Sequence, residues 1–232
     1  MEIKKLGLLD GAEKAEGLTV VIDVFRAFST SCYLFSNGAE RILPVEKVSE
    51  AKKLAEENPD FVLIGERGGR KLPNFHYGNS PSKIVSQDFS GKTVVLTTSA
   101  GTKGLIAARD SEELLTGSLV NLGAVVDYIS KKSPLKVSLV PMGKSGESPA
   151  DEDELCAELM AARLKGETIQ NLPSKIKSLK EGDGKRFFIE ENQNWSPKED
   201  FYLCTDLDRF AFIIKAYPFP ATQGLSLKRI DI

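Results

Sequence analysis

Leu18-Thr19-Val20-Val21-Ile22-Asp23-Val24 is the stretch from which the fold is read. It is a continuous β-branched and aliphatic run closed by a carboxylate. A strand with one wet face alternates apolar and polar residues. An unbroken apolar run belongs to a strand covered on both faces, as in the parallel sheets of α/β proteins.

Downstream, a helix is expected over 28–37, stopped by Gly38. Arg41-Ile42-Leu43-Pro44-Val45 reads as a strand whose proline marks an edge or a strand end. Ser49 can cap a helix running through Ala51, Leu54 and Ala55 to residue 58. A strand over 61–64 runs into Gly65-Glu66-Arg67-Gly68-Gly69-Arg70, too glycine-rich and charged for core. Asn79-Ser80-Pro81 opens a short helix, with Ser80 as cap and Pro81 at its first position. A strand over 93–98, a turn over 99–102 and a helix over 103–108 follow. Then come a strand over 114–116, a helix over 122–129, a strand over 135–140, a flexible loop over 143–149 and a strong helix over 152–164.

Strand and helix therefore alternate from 18 to 164. That predicts an α/β three-layer sandwich, with a mostly parallel sheet and helices on both faces. Beyond Gly166 the pattern is irregular. Phe201-Tyr202-Leu203-Cys204 and Phe210-Ala211-Phe212-Ile213-Ile214 would pack, without an assignable topology. The chain reads as one unit over 1–232, with a subdomain boundary near 166 between an α/β core (1–165) and a C-terminal region (166–232).

The chain's 232 residues suffice for a sizeable core, and a net charge of −2 gives no global pull toward nucleic acid or membrane. No apolar run reaches bilayer length, and the N-terminus lacks a signal-peptide pattern. Cys32, Cys156 and Cys204 are odd in number and far apart, which fits a reducing cytoplasm better than disulfides or a zinc ribbon. The single histidine, His76, excludes a multi-histidine metal site within the chain; it reads as a loop-packing residue. Chemistry should rest on carboxylates, hydroxyls or a cysteine, together with an oxygen-loving metal.

In open α/β sheets ligands bind at the carboxyl ends of strands. Those ends carry Asp23 and Arg26, then Glu66-Arg67, then Thr98-Ser99-Ala100-Gly101-Thr102, then Lys144 with Glu152-Asp153. One sheet edge would collect all of them. Carboxylates suit Mg²⁺, arginine forks match phosphate and sulfonate, and free N–H groups beside Gly101 favour an anion. Each piece has a plainer reading: Asp23 as a helix cap, Glu66-Arg67 as a solvated ion pair, Glu152-Asp153 as dipole-favoured acids, Cys156 as a small buried hydrophobe. The conjunction carries the signal. Asp23 lacks the second carboxylate of an Asp-x-Asp motif, and there is no GxGxxG after the first strand and no P-loop.

The stretches VVIDVFRAFSTS, SNGAERILPV, LIGERGG, FHYGNSPSKI, GKTVVLTTSAGTKGL, GSLVNLGAV and DEDELCAELMA, in this order, resemble the 2-phosphosulfolactate phosphatase family of coenzyme M biosynthesis. They run from Val20 to about Ala162, with a weaker match over 200–212. The motif positions include Asn37, Gly38, Gly78, Thr98, Asn121 and Glu152 besides the site candidates below. Phe25, Phe28 and Ser99-Ala100 depart from the pattern, and the last departure bears on substrate contacts at that turn.

The resemblance implies an α/β, Mg²⁺-requiring phosphatase converting 2-phosphosulfolactate to 3-sulfolactate and phosphate. Its partner is a small anionic phosphate/sulfonate substrate, with no role for nucleic acid or membrane and room for a homodimer. Asp23, Glu66 and Asp153 are the expected metal ligands. Arg26, Arg67, Asn79, Ser80, Ser99, Gly101 and Thr102 are the expected substrate contacts. Asp23, Arg26 and Cys156 are the catalytic candidates, with attack by metal-activated water favoured over Asp23 or Cys156. Other readings are another metal-dependent phosphohydrolase or lyase, or a non-catalytic binder of an anionic metabolite.

Overall fold

A computed structural model describes residues 1–219 and 224–232. The decisive run forms strand β2 (Leu18–Ile22), in which every residue is buried. Parallel neighbours surround it: β8 (Lys136–Pro141) and then β1 (Glu2–Lys5) on one side, β7 (Glu113–Gly117) on the other. A second parallel group contains β3 (Arg41–Pro44), β6 (Thr93–Thr97) and β4 (Val62–Arg67). A short β5 (Arg70–Lys71) folds back on β4. Between the two groups lies a C-terminal hairpin, β9 (Phe212–Phe219) and β10 (Gly224–Asp231). The ten-stranded order is β1-β8-β2-β7-β9-β10-β3-β6-β4-β5.

The sheet is open, mixed and mostly parallel, with helices on both faces, as the alternation predicts. The run Phe210–Ile214 leads into the hairpin that joins the two parallel groups. Pro44 closes β3, so its missing N–H falls at a strand end, and β3 is an interior strand of the sheet. Glu66 and Arg67 are the last residues of β4 rather than a loop.

Three successive antiparallel pairings, β7 with β9, β9 with β10 and β10 with β3, reverse the second group relative to the first. In a flat sheet the carboxyl ends of β2 and β6 would therefore lie on opposite edges. They meet instead: the N–H of Gly101, just past β6, donates to Asp23 Oδ2, just past β2, at 2.9 Å. Twist supplies the reason. Adjacent strands rotate by roughly 20–25°, so the five steps from β2 to β6 accumulate about 100–125°. Helix α2 (Ala27–Ser36), nine of whose ten residues are buried, shares one core cluster with strand residues of both groups, such as Val21, Leu114, Ile42 and Leu96, as a curled sheet requires. The expectation of one common sheet edge is thus corrected: the site forms where two opposed edges are brought together by coiling.

Alternating side chains feed two faces. Val21, Val94, Leu96, Leu114 and Ile214 join α2, helix α1 (Leu8–Glu13) and helix α4 (Gly101–Ala107) inside the coil. Val20, Ile22, Leu115 and Ile213 pack outside it against α5 (Leu122–Lys132), α6 (Asp151–Leu164) and α8 (Lys198–Thr205). Val95 and Leu63 meet α3 (Val48–Glu57), whose cap position is Lys47, with Ser49 already inside the helix. A further short helix, α7, spans Leu172–Ser178.

Candidate active site

Where the strand ends converge, a cavity of about 120 Å³ opens, walled by Asp23, Arg26, Glu66, Asn79, Glu152 and Arg186 among others. This is below the roughly 300–1,000 Å³ of sites for drug-sized ligands. It suits a small molecule.

Asp23 leaves β2 and is fixed by two backbone donors. The N–H of Ala27 reaches Oδ1 at 3.0 Å, and that of Gly101 reaches Oδ2 at 2.9 Å. The plainer helix-cap reading is therefore partly realised, yet the carboxylate also lines the cavity. Gly101 is needed for this approach, because a Cβ there would stand 2.7 Å from Asp23 Oδ2. Asp153, in the first turn of α6, accepts from Val24 N at 2.7 Å and from Gly143 N at 2.9 Å. Glu152 beside it is buried, and its Oε2 has no hydrogen-bond partner. Glu66 clasps the turn after β6, accepting from Ser99 N and Gly69 N, each at 2.6 Å.

Burial pushes Asp23 up to about 6, with the Glu66 charge adding to the rise against the Ala27 and Gly101 donors. Burial pushes Glu152 up to about 8; Arg186 opposes the rise, and Asp183 and Asp23 add to it. Asp153 is held far above the ordinary range by burial, then by Glu152 and Asp23. Three buried acids thus repel one another, and among the described residues no cation forms an ion pair with any of them.

The cationic candidates sit differently. Arg26, at the N-cap of α2, donates through Nη1 to Asp200 Oδ2 at 2.6 Å and to Trp195 O at 2.9 Å, and through Nη2 to Gly69 O at 2.8 Å. Both members of its ion pair are almost fully buried, at 3% and 0% exposure. Asp200 also accepts from Ser80 Oγ and from Ser82 N at 2.9 Å. Ser80 therefore spends its hydroxyl on Asp200 and makes no side-chain cap. Arg67 turns toward Glu46 O, Glu66 O and Thr97 Oγ1, off the cavity wall.

Ser99 and Asn79 line the cavity, and Asn79 Oδ1 is buried without a partner. Gly101 and Thr102 stand behind the wall. The Thr102 and Thr98 hydroxyls are bonded to each other's backbone, which closes the turn. Cys156 is sealed in the outer core, one turn along α6 from Asp153, and burial drives its thiol upward. His76 accepts Leu63 N at its Nδ1 and lies away from this cavity, packing its loop against β4.

The structure thus brings Asp23, Arg26, Glu66, Asn79, Ser99 and Asp153 to one wall. It keeps Arg67, Thr102 and Cys156 off it. The sequence reading placed Glu152 beside Asp153 at the site and among the motif positions without making it a metal ligand, and it gave Asp200 and Arg186 no site role. Glu152 shares the acid-rich first turn of α6 with Asp153, and its burial is what sets it beside Asp153 as a ligand candidate. The other two come from the irregular C-terminal region, where no periodicity points to a site.

Among the described residues, no three His, Cys, Asp or Glu side chains already converge as metal ligands. The donor chemistry nonetheless fits a hard cation. All nearby ligands are carboxylate oxygens, each oxygen bonded to one N–H keeps a free lone pair, and Glu152 Oε2 is unclaimed. Among the described residues, no helix is long and apolar enough to cross a membrane.

Residues 7–216 match the family model for 2-phosphosulpholactate phosphatase. A probable 2-phosphosulfolactate phosphatase of Thermotoga petrophila is 35% identical over 217 residues, covering 86% of this chain and 92% of the relative. One from Bacillus subtilis is 28% identical over 200 residues, covering 85% and 86%. One from Carboxydothermus hydrogenoformans is 42% identical over 128 residues, covering 55% and 52%. With the family model matched over residues 7–216 and a relative 35% identical across 86% of the chain, this protein belongs to the 2-phosphosulfolactate phosphatase family.

Proposed function

We propose that the protein hydrolyses 2-phosphosulfolactate to 3-sulfolactate and inorganic phosphate, using Mg²⁺ held by Asp23, Glu152 and Asp153. One observation carries the metal: three buried carboxylates share a small cavity and, among the described residues, none of them has an ion-pair partner, while Glu152 Oε2 is left without any hydrogen-bond partner. Burying such a group costs several kcal/mol unless a charge compensates it or a proton neutralises it. When bound, Mg²⁺ would offset substrate charge and ease deprotonation of water. Glu66 then has a different part from the direct ligand first expected, since it holds the turn carrying Ser99 in place.

The protein's own groups do the positioning. Backbone donors at Ala27, Gly101, Val24 and Gly143 fix the Asp23 and Asp153 carboxylates before substrate arrives. That arrangement avoids reorganisation at the moment of reaction. Asn79 and Ser99 offer neutral groups at the wall. Water is the attacking group in this reading: Cys156 lies off the cavity with its thiol driven upward, which leaves little thiolate.

The test is phosphate release from 2-phosphosulfolactate with Mg²⁺ and with a chelator. Release that depends on Mg²⁺ and disappears in a folded Asp23→Asn variant is expected. Equal release under chelation sinks the metal role. No release with any divalent cation sinks the phosphatase reading.

A further inference from the structure

Three cationic side chains line the cavity: Arg26, Lys144 and Arg186. Two are already matched. Arg26 is paired with Asp200, and Lys144 reaches Asp183 at 2.5 Å. Arg186 is the exception. Its side chain's only hydrogen bond among the described residues runs from Nη2 to the carbonyl of Phe25, at 2.9 Å, and its Nε is buried without a partner. A guanidinium carries five N–H donors in a rigid fork, so most of its capacity is unspent. No described carboxylate pairs with it.

The group is also held in place. Its Cζ lies 5.0 Å over the Phe187 ring, and Phe187 packs edge-on to Phe25 at 4.9 Å. The segment Asp183–Phe188 that carries Arg186 is tied at its start by two Asp183 contacts, one to Lys144 and one to the N–H of Asp151 at 2.9 Å. The guanidinium is close enough to Asp23 and Glu152 to lower both, so it faces the acids without bonding them.

We infer that Arg186 is the substrate-binding cation of this cavity, its free fork taking the phosphoryl or sulfonate oxygens of the anionic substrate. This rests on the phosphatase reading above for the substrate's identity. It assigns the task to a residue outside the stretches that carry the family resemblance, and it leaves Arg26 as the buried partner of Asp200. The physical reason is availability. An arginine whose charge is spent on a buried carboxylate has little left for a ligand, while a planar, oriented and unpaired fork meets two oxygens at once.

The experiment pairs binding with turnover in Arg186→Ala and Arg186→Lys, with thermal unfolding run on each. Calorimetric titration of inorganic phosphate and of 3-sulfolactate, both with Mg²⁺, reads binding without needing catalysis. For Arg186→Ala, at least one of the two should bind roughly 10–100-fold more weakly, the worth of a charged hydrogen-bonded contact. KM for 2-phosphosulfolactate should rise alongside, with the melting temperature little moved. Arg186→Lys should fall between, because it restores charge without the fork, and it serves alone if the alanine variant does not fold. If wild type binds these anions, both variants fold and neither anion binds more weakly to them, the inference is overturned. It is likewise overturned if wild type binds neither anion. Wild type that binds phosphate through Arg186 yet releases none from 2-phosphosulfolactate would overturn the substrate reading and leave the inference standing.

Discussion

Arg26 and Asp200 are buried as deeply as Asp23, Glu152 and Asp153, and both sets meet the same cavity, but their charges are handled in opposite ways. The first set is closed. Guanidinium and carboxylate are 2.6 Å apart, and Ser80, Ser82, Trp195 and Gly69 take up further donors and acceptors. The second set has backbone donors on Asp23 and Asp153 but, among the described residues, no ion pair: Arg186 faces it without bonding, and Glu152 Oε2 is wholly unclaimed. A satisfied network holds structure, whereas an uncompensated one stores a demand for a cation. The difference separates residues that hold the site's shape from residues that await a ligand.

The comparison is broken most directly at the acids. Asp23→Asn or Asp153→Asn should lower kcat/KM by roughly 10⁴-fold, about 5 kcal/mol of transition-state stabilisation. The same substitutions should move the metal-free melting temperature little, because the repulsion they remove offsets the one backbone N–H that loses its acceptor oxygen. A clear loss of metal-free stability would show that the acids are structural.

At the closed pair the result should reverse. Arg26→Ala leaves Asp200 buried and unpaired, costing about 3–5 kcal/mol, or roughly 6–20 °C in melting temperature for a chain of this size. A shift under about 3 °C would place Arg26 with the ligand-awaiting groups instead.

Without metal, pH should separate the sets again. Folded Asp23 and Glu152 titrate near 6 and 8, above their unfolded values near 4. The folded state therefore binds more protons than the unfolded state in that window, and stability falls as pH rises from about 4 through 6 and 8. Denaturant titrations at pH 5 and pH 8 should differ by on the order of 5 kcal/mol, and saturating Mg²⁺ should remove the difference. A flat metal-free profile would contradict the lack of compensation.

Mg²⁺ at a hundred times its Kd should stabilise wild type by about 2.7 kcal/mol, and Asp153→Asn much less. Equal stabilisation of both would move the metal elsewhere. The smallest effect is expected at Lys144, whose pair with Asp183 is largely solvent-exposed on the lysine side. Lys144→Ala should cost under about 1 kcal/mol in urea unfolding. A larger loss would make that latch part of the closed network.

Sequence alone determined the strand–helix alternation, because burial on both faces leaves a readable mark: Val20-Val21-Ile22 has no polar face, and the 14 residues of α6 run unbroken by glycine or proline. It also marked Asp23, Glu66 and Asp153, since carboxylates at strand and helix ends stand out against apolar runs. The same local logic did not reveal what Arg26 and Arg67 bond to, because a guanidinium's charge is directed by contacts with distant residues. Asp200 is 174 positions from Arg26, and nothing local predicts that it absorbs that charge. Only the tertiary structure set the C-terminal hairpin between two oppositely running groups of strands and coiled the sheet until their ends met. Accumulated twist and a helix buried at the centre bring Asp23 to Gly101 and Arg186 to the acids; those distances depend on the whole sheet rather than on any one stretch of chain.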